Sequence, residues 1–170
     1  KIECINVNVN GTVNVLEAAR YANVGKVIFA STSAIYENNN YKEAPFSETL
    51  NVDPLLFYSM SKKMAEDVCR SYTEHYGLNI LILRFFNIFG PNQDTKRKSP
   101  PLLNYLVQQI LSNESPVLHS TGYQKRDYVS AYDLVKLFNL ILKDENFTSG
   151  CFNVSSGVTL SVRDIVDIVE

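Results

Sequence analysis

Two short apolar runs do most to limit what this chain can fold into. The first is Lys26-Val27-Ile28-Phe29-Ala30, and the second is Leu78-Asn79-Ile80-Leu81-Ile82-Leu83-Arg84-Phe85-Phe86-Asn87. Neither alternates apolar with polar residues. A strand covered on both faces reads this way, as in a parallel sheet. Between the runs, residues 57–76 carry a helical period and stop at Gly77. Strand, helix and strand in that order make a βαβ unit with a right-handed crossover. The first run ends in the hydroxyl-rich stretch Ser31-Thr32-Ser33-Ala34-Ile35-Tyr36, and the second ends at Asn87 before Gly90-Pro91. Ligands of such sheets bind beyond the carboxyl ends of the strands, so Thr32, Asn87 and the start of the intervening helix are expected to meet there.

The flanking segments extend the pattern. Residues 8–21 place Val9, Val13, Leu16 and Ala19 on one helical face, with Asn8 or Asn10 as cap and Gly25 beyond the end, where positive φ is often needed. Residues 37–53 are polar and read as a surface loop. Further on, the spacing predicts a helix over 102–111, a short strand over 116–119 and a helix over 130–143 with Leu134, Phe138 and Leu142 inward. A strand over 151–154 follows, then a turn at 155–157 and a last helix opened by Ser161 with Asp164. The fold class is α/β, a partial doubly wound parallel sheet in residues 1–91 with a smaller part in 92–170.

Chemistry concentrates at the start of the 57–76 helix. Tyr58 and Lys62 are four residues apart, so both leave one helical face. An ammonium near a phenol stabilises the phenolate, and such a pair can move a proton to or from a hydroxyl or carbonyl. Tyr132 and Lys136 share this spacing, but only a loop and a short run around 126–129 precede them. Tyr58 follows a strand that ends in hydroxyls and is therefore favoured. On the same helix, Ala65, Cys69 and Tyr72 fall near the face of Tyr58, while Lys63, Glu66, Asp67 and Arg70 fall largely elsewhere.

Composition removes several function classes. A net charge of -2 gives no general electrostatic reason to expect nucleic acid or an anionic membrane as partner. Three scattered cysteines and two isolated histidines, His75 and His119, make neither a disulfide framework nor a metal site, and they fit a reducing, cytoplasmic setting. The bases Lys96, Arg97 and Lys98 read as a solvated loop. No apolar run approaches the roughly 20 residues that span a bilayer. The first residue is lysine and lies within a helical pattern, which points to a piece of a longer protein.

Five stretches in order resemble the extended short-chain dehydrogenase/reductase family, and within it the NAD-dependent nucleotide-sugar epimerases and dehydratases. They are the helix from Asn8 to Ala19, the Ser31 to Tyr36 segment, the Tyr58 to Lys62 pair, Arg84 to Pro91, and Gly122 to Val129. The resemblance implies NAD as cofactor and a nucleotide sugar as substrate, with the later part of the chain binding that substrate. By matched position it implies Thr32 on the reacting sugar oxygen, with Ser33 as neighbour. Tyr58 becomes the base at the C4 hydroxyl, and Lys62 tunes Tyr58 and holds the nicotinamide ribose. Phe85 lies toward the cofactor, Asn87 toward the substrate, and Arg126 on the diphosphate.

Two departures refine this. The family's 4,6-dehydratases carry Thr-Asp-Glu where this chain has Thr32-Ser33-Ala34, so a UDP-sugar 4-epimerase is the favoured activity. A dehydratase, decarboxylase, reductase or non-catalytic nucleotide-binding relative is the alternative. The family's GxxGxxG turn has no counterpart here, since Gly11 is the first glycine and only Gly25 follows it before Gly77. The chain alone is therefore expected to bind NAD poorly and to be inactive. The resemblance also implies a homodimer, and Met64, Val68 and Tyr72 read either as its face or as core.

Overall fold

The structure, a computed structural model, describes residues 1–39, 45–94, 97, 100–118 and 121–169. In chain order it contains helix α1 (Ile2–Ile5), a π-helical turn (Asn6–Asn10), helix α2 (Gly11–Tyr21), strand β1 (Val27–Thr32) and a 3-10 turn (Ser33–Tyr36). Helix α3 (Phe57–Tyr76), strands β2 (Ile80–Phe85) and β3 (Asn87–Phe89), helix α4 (Leu102–Leu111) and strand β4 (Lys125–Ser130) come next. Helix α5 (Ala131–Lys143), strands β5 (Gly150–Val154) and β6 (Thr159–Ser161) and helix α6 (Val162–Val169) complete the order. Two compact units result, Lys1–Phe86 with Ile141–Val154, and Asn87–Leu140 with Ser155–Glu170. A single cut in the sequence does not separate them, because β5 returns to pair with β2.

The first unit is built on a parallel sheet of order β1-β2-β5. The middle strand has a neighbour on each edge, and Ile80 to Arg84 are all buried, which accounts for its unbroken apolar run. Leu16 and Ala19 of α2 and Cys69 of α3 pack with Leu78, Ile80 and Ile82, supported by Val27, Phe29, Val68 and Tyr72. Burial pushes the Cys69 thiol up to about 12, so this cysteine behaves as an inert core side chain. Gly77 closes α3 at φ 69, in the left-handed region that a Cβ disfavours.

Three expectations are corrected in this unit. Helical backbone begins at Ile2 and runs through the π-helical turn, so neither Asn8 nor Asn10 caps a helix. Positive φ after α2 falls at Asn23, not Gly25, because a short amide side chain also tolerates that region. Glu66 is fully buried rather than turned outward, since two arginines reach it.

In the second unit β3 pairs parallel with β4, which pairs antiparallel with β6. Asn87 does not end the preceding strand. It opens β3 opposite Tyr128, and its amide donates to the Asp127 carbonyl at 2.8 Å. Asp127 holds the turn at 155–157, accepting from Ser156 N–H, the Ser156 hydroxyl and Gly157 N–H, so it is not the ion-pair partner of Arg126. Ser161 and Asp164 form the expected reciprocal cap of α6, at 3.1 and 2.8 Å. On α5, Leu134 is buried but Leu142 is exposed, contrary to its expected inward place.

Residues 116–118 are not a strand. Val117 N–H donates to the Tyr105 hydroxyl instead, at 2.8 Å, while His119 lies outside the described residues. Lys96 and Lys98 also lie outside them, and Arg97 is exposed. No helix among the described residues is long and apolar enough to cross a membrane.

Candidate active site

The register of the first sheet places Thr32 beside Phe85, and Phe85 beside Val154, in one row at the carboxyl ends of three parallel strands. This is the edge where ligands of open parallel sheets bind. Thr32 is the last residue of β1 and caps the 3-10 turn, its hydroxyl oxygen accepting from Ala34 N–H at 3.2 Å. That bond uses a lone pair and leaves the hydroxyl proton to be donated elsewhere. Ser33 is the first residue of the turn and half-buried.

Tyr58 is the second residue of α3 and 48% exposed, so its ring is accessible at the start of the helix. Lys62, one turn on, is half-buried and points to β1. Its ammonium donates to the Ala30 carbonyl at 3.1 Å and lies 5.3 Å from the centre of the Phe29 ring. Burial holds its pKa below the usual lysine value by penalising the charged form. Tyr132 and Lys136 differ in surroundings. A strand, β4, does precede them, contrary to expectation; Tyr132 is exposed as Tyr58 is, but Lys136 is spent on an exposed pair with Asp133 at 3.0 Å. Surroundings, and not the presence of a strand, separate the two pairs.

A charged cluster that sequence reading did not assemble lies behind this edge. Glu66 of α3 accepts from Arg84 Nε at 2.9 Å and Nη2 at 2.7 Å, from Arg70 at 3.0 Å and from the Ser31 hydroxyl at 2.5 Å. Burial opposes ionisation of Glu66, but these donors outweigh it and hold its carboxyl below the usual range. Arg84 also donates to the Tyr36 hydroxyl at 2.8 Å, and Tyr36 donates to Asn153 of β5 at 2.9 Å. One network thus joins β1, the 3-10 turn, α3, β2 and β5. A signal for it was present, since a lone arginine inside a buried strand requires a partner.

A second missed residue is Glu37, which sequence reading placed in a polar surface loop. Its Oε1 accepts from Leu55 N–H at 2.9 Å, Leu56 N–H at 2.7 Å and the Ser59 hydroxyl at 2.7 Å.

The second unit holds a cavity of about 360 Å³ lined by Asn87, Leu102, Tyr105, Val117, Leu118, Gln124, Arg126, Tyr128 and Val162. Apolar and aromatic walls with a few polar groups are typical of small-molecule sites. Arg126 is exposed, and its Nη1 donates to the Lys125 carbonyl at 2.8 Å. Burial raises the Tyr128 pKa, with Arg126 acting in the opposite sense.

A parallel sheet of order β1-β2-β5, with helix α3 crossing from β1 to β2, is a Rossmann-like arrangement. Residues 1–155 match the model of the NAD dependent epimerase/dehydratase family, and the chain belongs to that family. It is 33% identical over 168 residues to the dTDP-D-glucose 4,6-dehydratase of Bos taurus, covering 96% of this chain and 45% of that protein. Among solved structures it is similar to a UDP-N-acetylglucosamine 4-epimerase from Methanobrevibacter ruminantium M1 in complex with UDP-N-acetylmuramic acid. The TM-score is 0.88 at 31% identity, over 96% of this chain and 52% of that one. A UDP-glucuronic acid 4-epimerase from Bacillus cereus in complex with UDP-glucuronic acid and NAD gives a TM-score of 0.85 at 26% identity, over 97% and 51%. The chain thus spans about half the length of the relatives it matches.

Proposed function

We propose that the protein to which this chain belongs is a UDP-sugar 4-epimerase, with Tyr58 as the base at the C4 hydroxyl. The observation that carries this reading is the Tyr58–Lys62 pair on α3, with Lys62 drawn to β1 two residues before Thr32. When bound, NAD would supply reversible hydride acceptance at C4. Tyr58 takes the hydroxyl proton in the first half and gives it back in the second. Lys62, one turn on from Tyr58 and reaching the Ala30 carbonyl, offers its ammonium protons to the nicotinamide ribose. Thr32, with Ser33 next to it, donates a hydrogen bond to the reacting oxygen. Phe85, level with Thr32, is assigned to the nicotinamide end of the cofactor. Asn87 and Arg126 border the second unit's cavity, which we assign to the nucleotide, with the Arg126 guanidinium on the diphosphate.

The residues present fit the nicotinamide half of the cofactor: the half-buried Lys62 ammonium reaches β1 at Ala30, and the Tyr58 phenol one turn before it on α3 is accessible. For the pyrophosphate half the chain offers no glycine-rich turn, because Gly11 sits inside helix. We infer that these 170 residues alone bind NAD weakly and do not turn over. A homodimer through α2 and α3 and a cytoplasmic location complete the reading. The alternative, a dehydratase, has support from the bovine relative but lacks a carboxyl pair at Ser33-Ala34.

The test uses the protein with all flanking sequence its gene encodes, assayed for epimerisation of UDP-glucose and UDP-N-acetylglucosamine. Tyr58→Phe is expected to lower kcat by about 100-fold or more, the usual worth of a positioned acid-base group. Full turnover by that variant sinks the mechanism, and release of water from the sugar in place of epimerisation selects the dehydratase.

A further inference from the structure

We propose that Glu37 is a positioning residue for Tyr58: its carboxylate ties the first turn of α3 to the turn that carries Thr32 and Ser33. The proposal rests on the assignment of Tyr58 as base. Glu37 directly follows the 3-10 turn, so it moves with the segment that opens at Thr32. Its Oε1 accepts three bonds of 2.7 to 2.9 Å, from Leu55, Leu56 and Ser59, and Tyr58 sits between the last two. The Ser59 hydroxyl is fully buried, so its direction is fixed by its acceptors rather than by water.

Helix α3 needs this outside help. Its N-cap is Leu56, which offers no side-chain acceptor and ranks among the poorest caps. Glu37 meets the N-cap amide of Leu56, the amide of Leu55 just before it and the Ser59 hydroxyl inside the first turn, and sets a negative charge at the positive end of a 20-residue helix. Burial opposes ionisation of Glu37, yet the bonds from Leu56, Ser59 and Leu55 outweigh it and hold its carboxyl below the usual range.

The rest of α3 is held independently. Ala65 and Cys69 are in the core, and Glu66 is locked to Arg84 two turns beyond Tyr58. Loss of Glu37 therefore leaves the helix folded and loosens the one turn that aims the phenol. Its cost falls on geometry more than on stability.

The experiment compares Glu37→Ala, Glu37→Gln and Tyr58→Phe in the NAD-loaded protein with its flanking sequence, well below each variant's unfolding temperature. Glu37→Ala is expected to lower kcat by about 10- to 100-fold, the scale of a misplaced reacting group, with KM within about twofold. Glu37→Gln keeps an acceptor oxygen at the same reach and is expected to recover kcat to within about threefold of the parent. Hydrogen exchange at the Leu55 and Leu56 amides is expected to quicken in Glu37→Ala and not in Glu37→Gln. An unchanged kcat in Glu37→Ala overturns the proposal, even if exchange quickens, and so does a loss that merely follows the unfolded fraction. Retained turnover in Tyr58→Phe overturns the Tyr58 assignment instead. Tyr58→Phe inactive with Glu37→Ala fully active overturns the Glu37 proposal alone.

Discussion

Arg84 is a charge set inside a strand whose other described residues are hydrocarbon, and both it and Glu66 are shut off from water. Breaking such a pair from one side strands the other ion, at a cost of about 3–5 kcal/mol, whereas replacing both with apolar side chains is far less harmful. Arg84→Met is accordingly expected to lower unfolding stability by that amount, and Arg84→Met with Glu66→Leu to regain most of it, as read by denaturant titration. The pair also sets an acid response. Folding holds the Glu66 carboxyl below its unfolded value, so between those two values the unfolded chain binds more protons and stability rises with pH. The contribution is complete above the ordinary carboxylate range and fades as pH falls through the folded value, a loss the double variant does not share. Residue identity made Tyr58 and Lys62 conspicuous in the sequence but hid Glu66. Its neighbours Lys63, Asp67 and Arg70 mark a solvated stripe, and only Arg84, distant in sequence, reveals that the stripe turns inward at 66.

At the level of elements, the strands and helices with strong period were legible from local pattern: β1, α3, β2, α4, α5, β5 and the cap of α6 all stand where hydrophobic spacing put them. The helix around residue 8 was read too short, because its Asn-rich stretch looks like a cap when viewed locally. In three dimensions those asparagines have other work, as when Asn8 donates to the Ser61 hydroxyl of α3 at 2.9 Å. The faces that remain apolar and exposed on these helices, Val7, Val15, Met60 and Met64, are the ground for the proposed dimer. Val68 and Tyr72, considered for the same face, pack on the core instead. A stable association of this kind buries on the order of 1,000 Å² or more. Sedimentation equilibrium of the protein with its flanking sequence is expected to give twice the chain mass, and Val15→Glu with Met64→Glu to halve it. A parent protein of single-chain mass at tens of micromolar removes the idea.

For the molecule as a whole, the sequence announced the α/β class and the sheet edge, but it could not show that the two units interleave. No local signal tells a strand at 150–154 which sheet it joins; that depends on which edge is left open, and β2 had one. On the proposed reading, Tyr58, Lys62 and Phe85 would meet only the nicotinamide side of a dinucleotide, and calorimetric titration of the 170-residue chain with NAD is expected to give a Kd well above the micromolar range. Micromolar binding would falsify that expectation. The return of β5 also bears on how the protein is made. During synthesis β1, α3 and β2 leave the ribosome long before β5, and residues 87–140 must all emerge in between. Until then β2 has an unsatisfied edge, and Tyr36 and Arg84 lack the Asn153 end of their network. The nascent chain thus carries an assembled tyrosine–lysine helix on an unfinished sheet, a stage at which a chaperone has an open strand to guard.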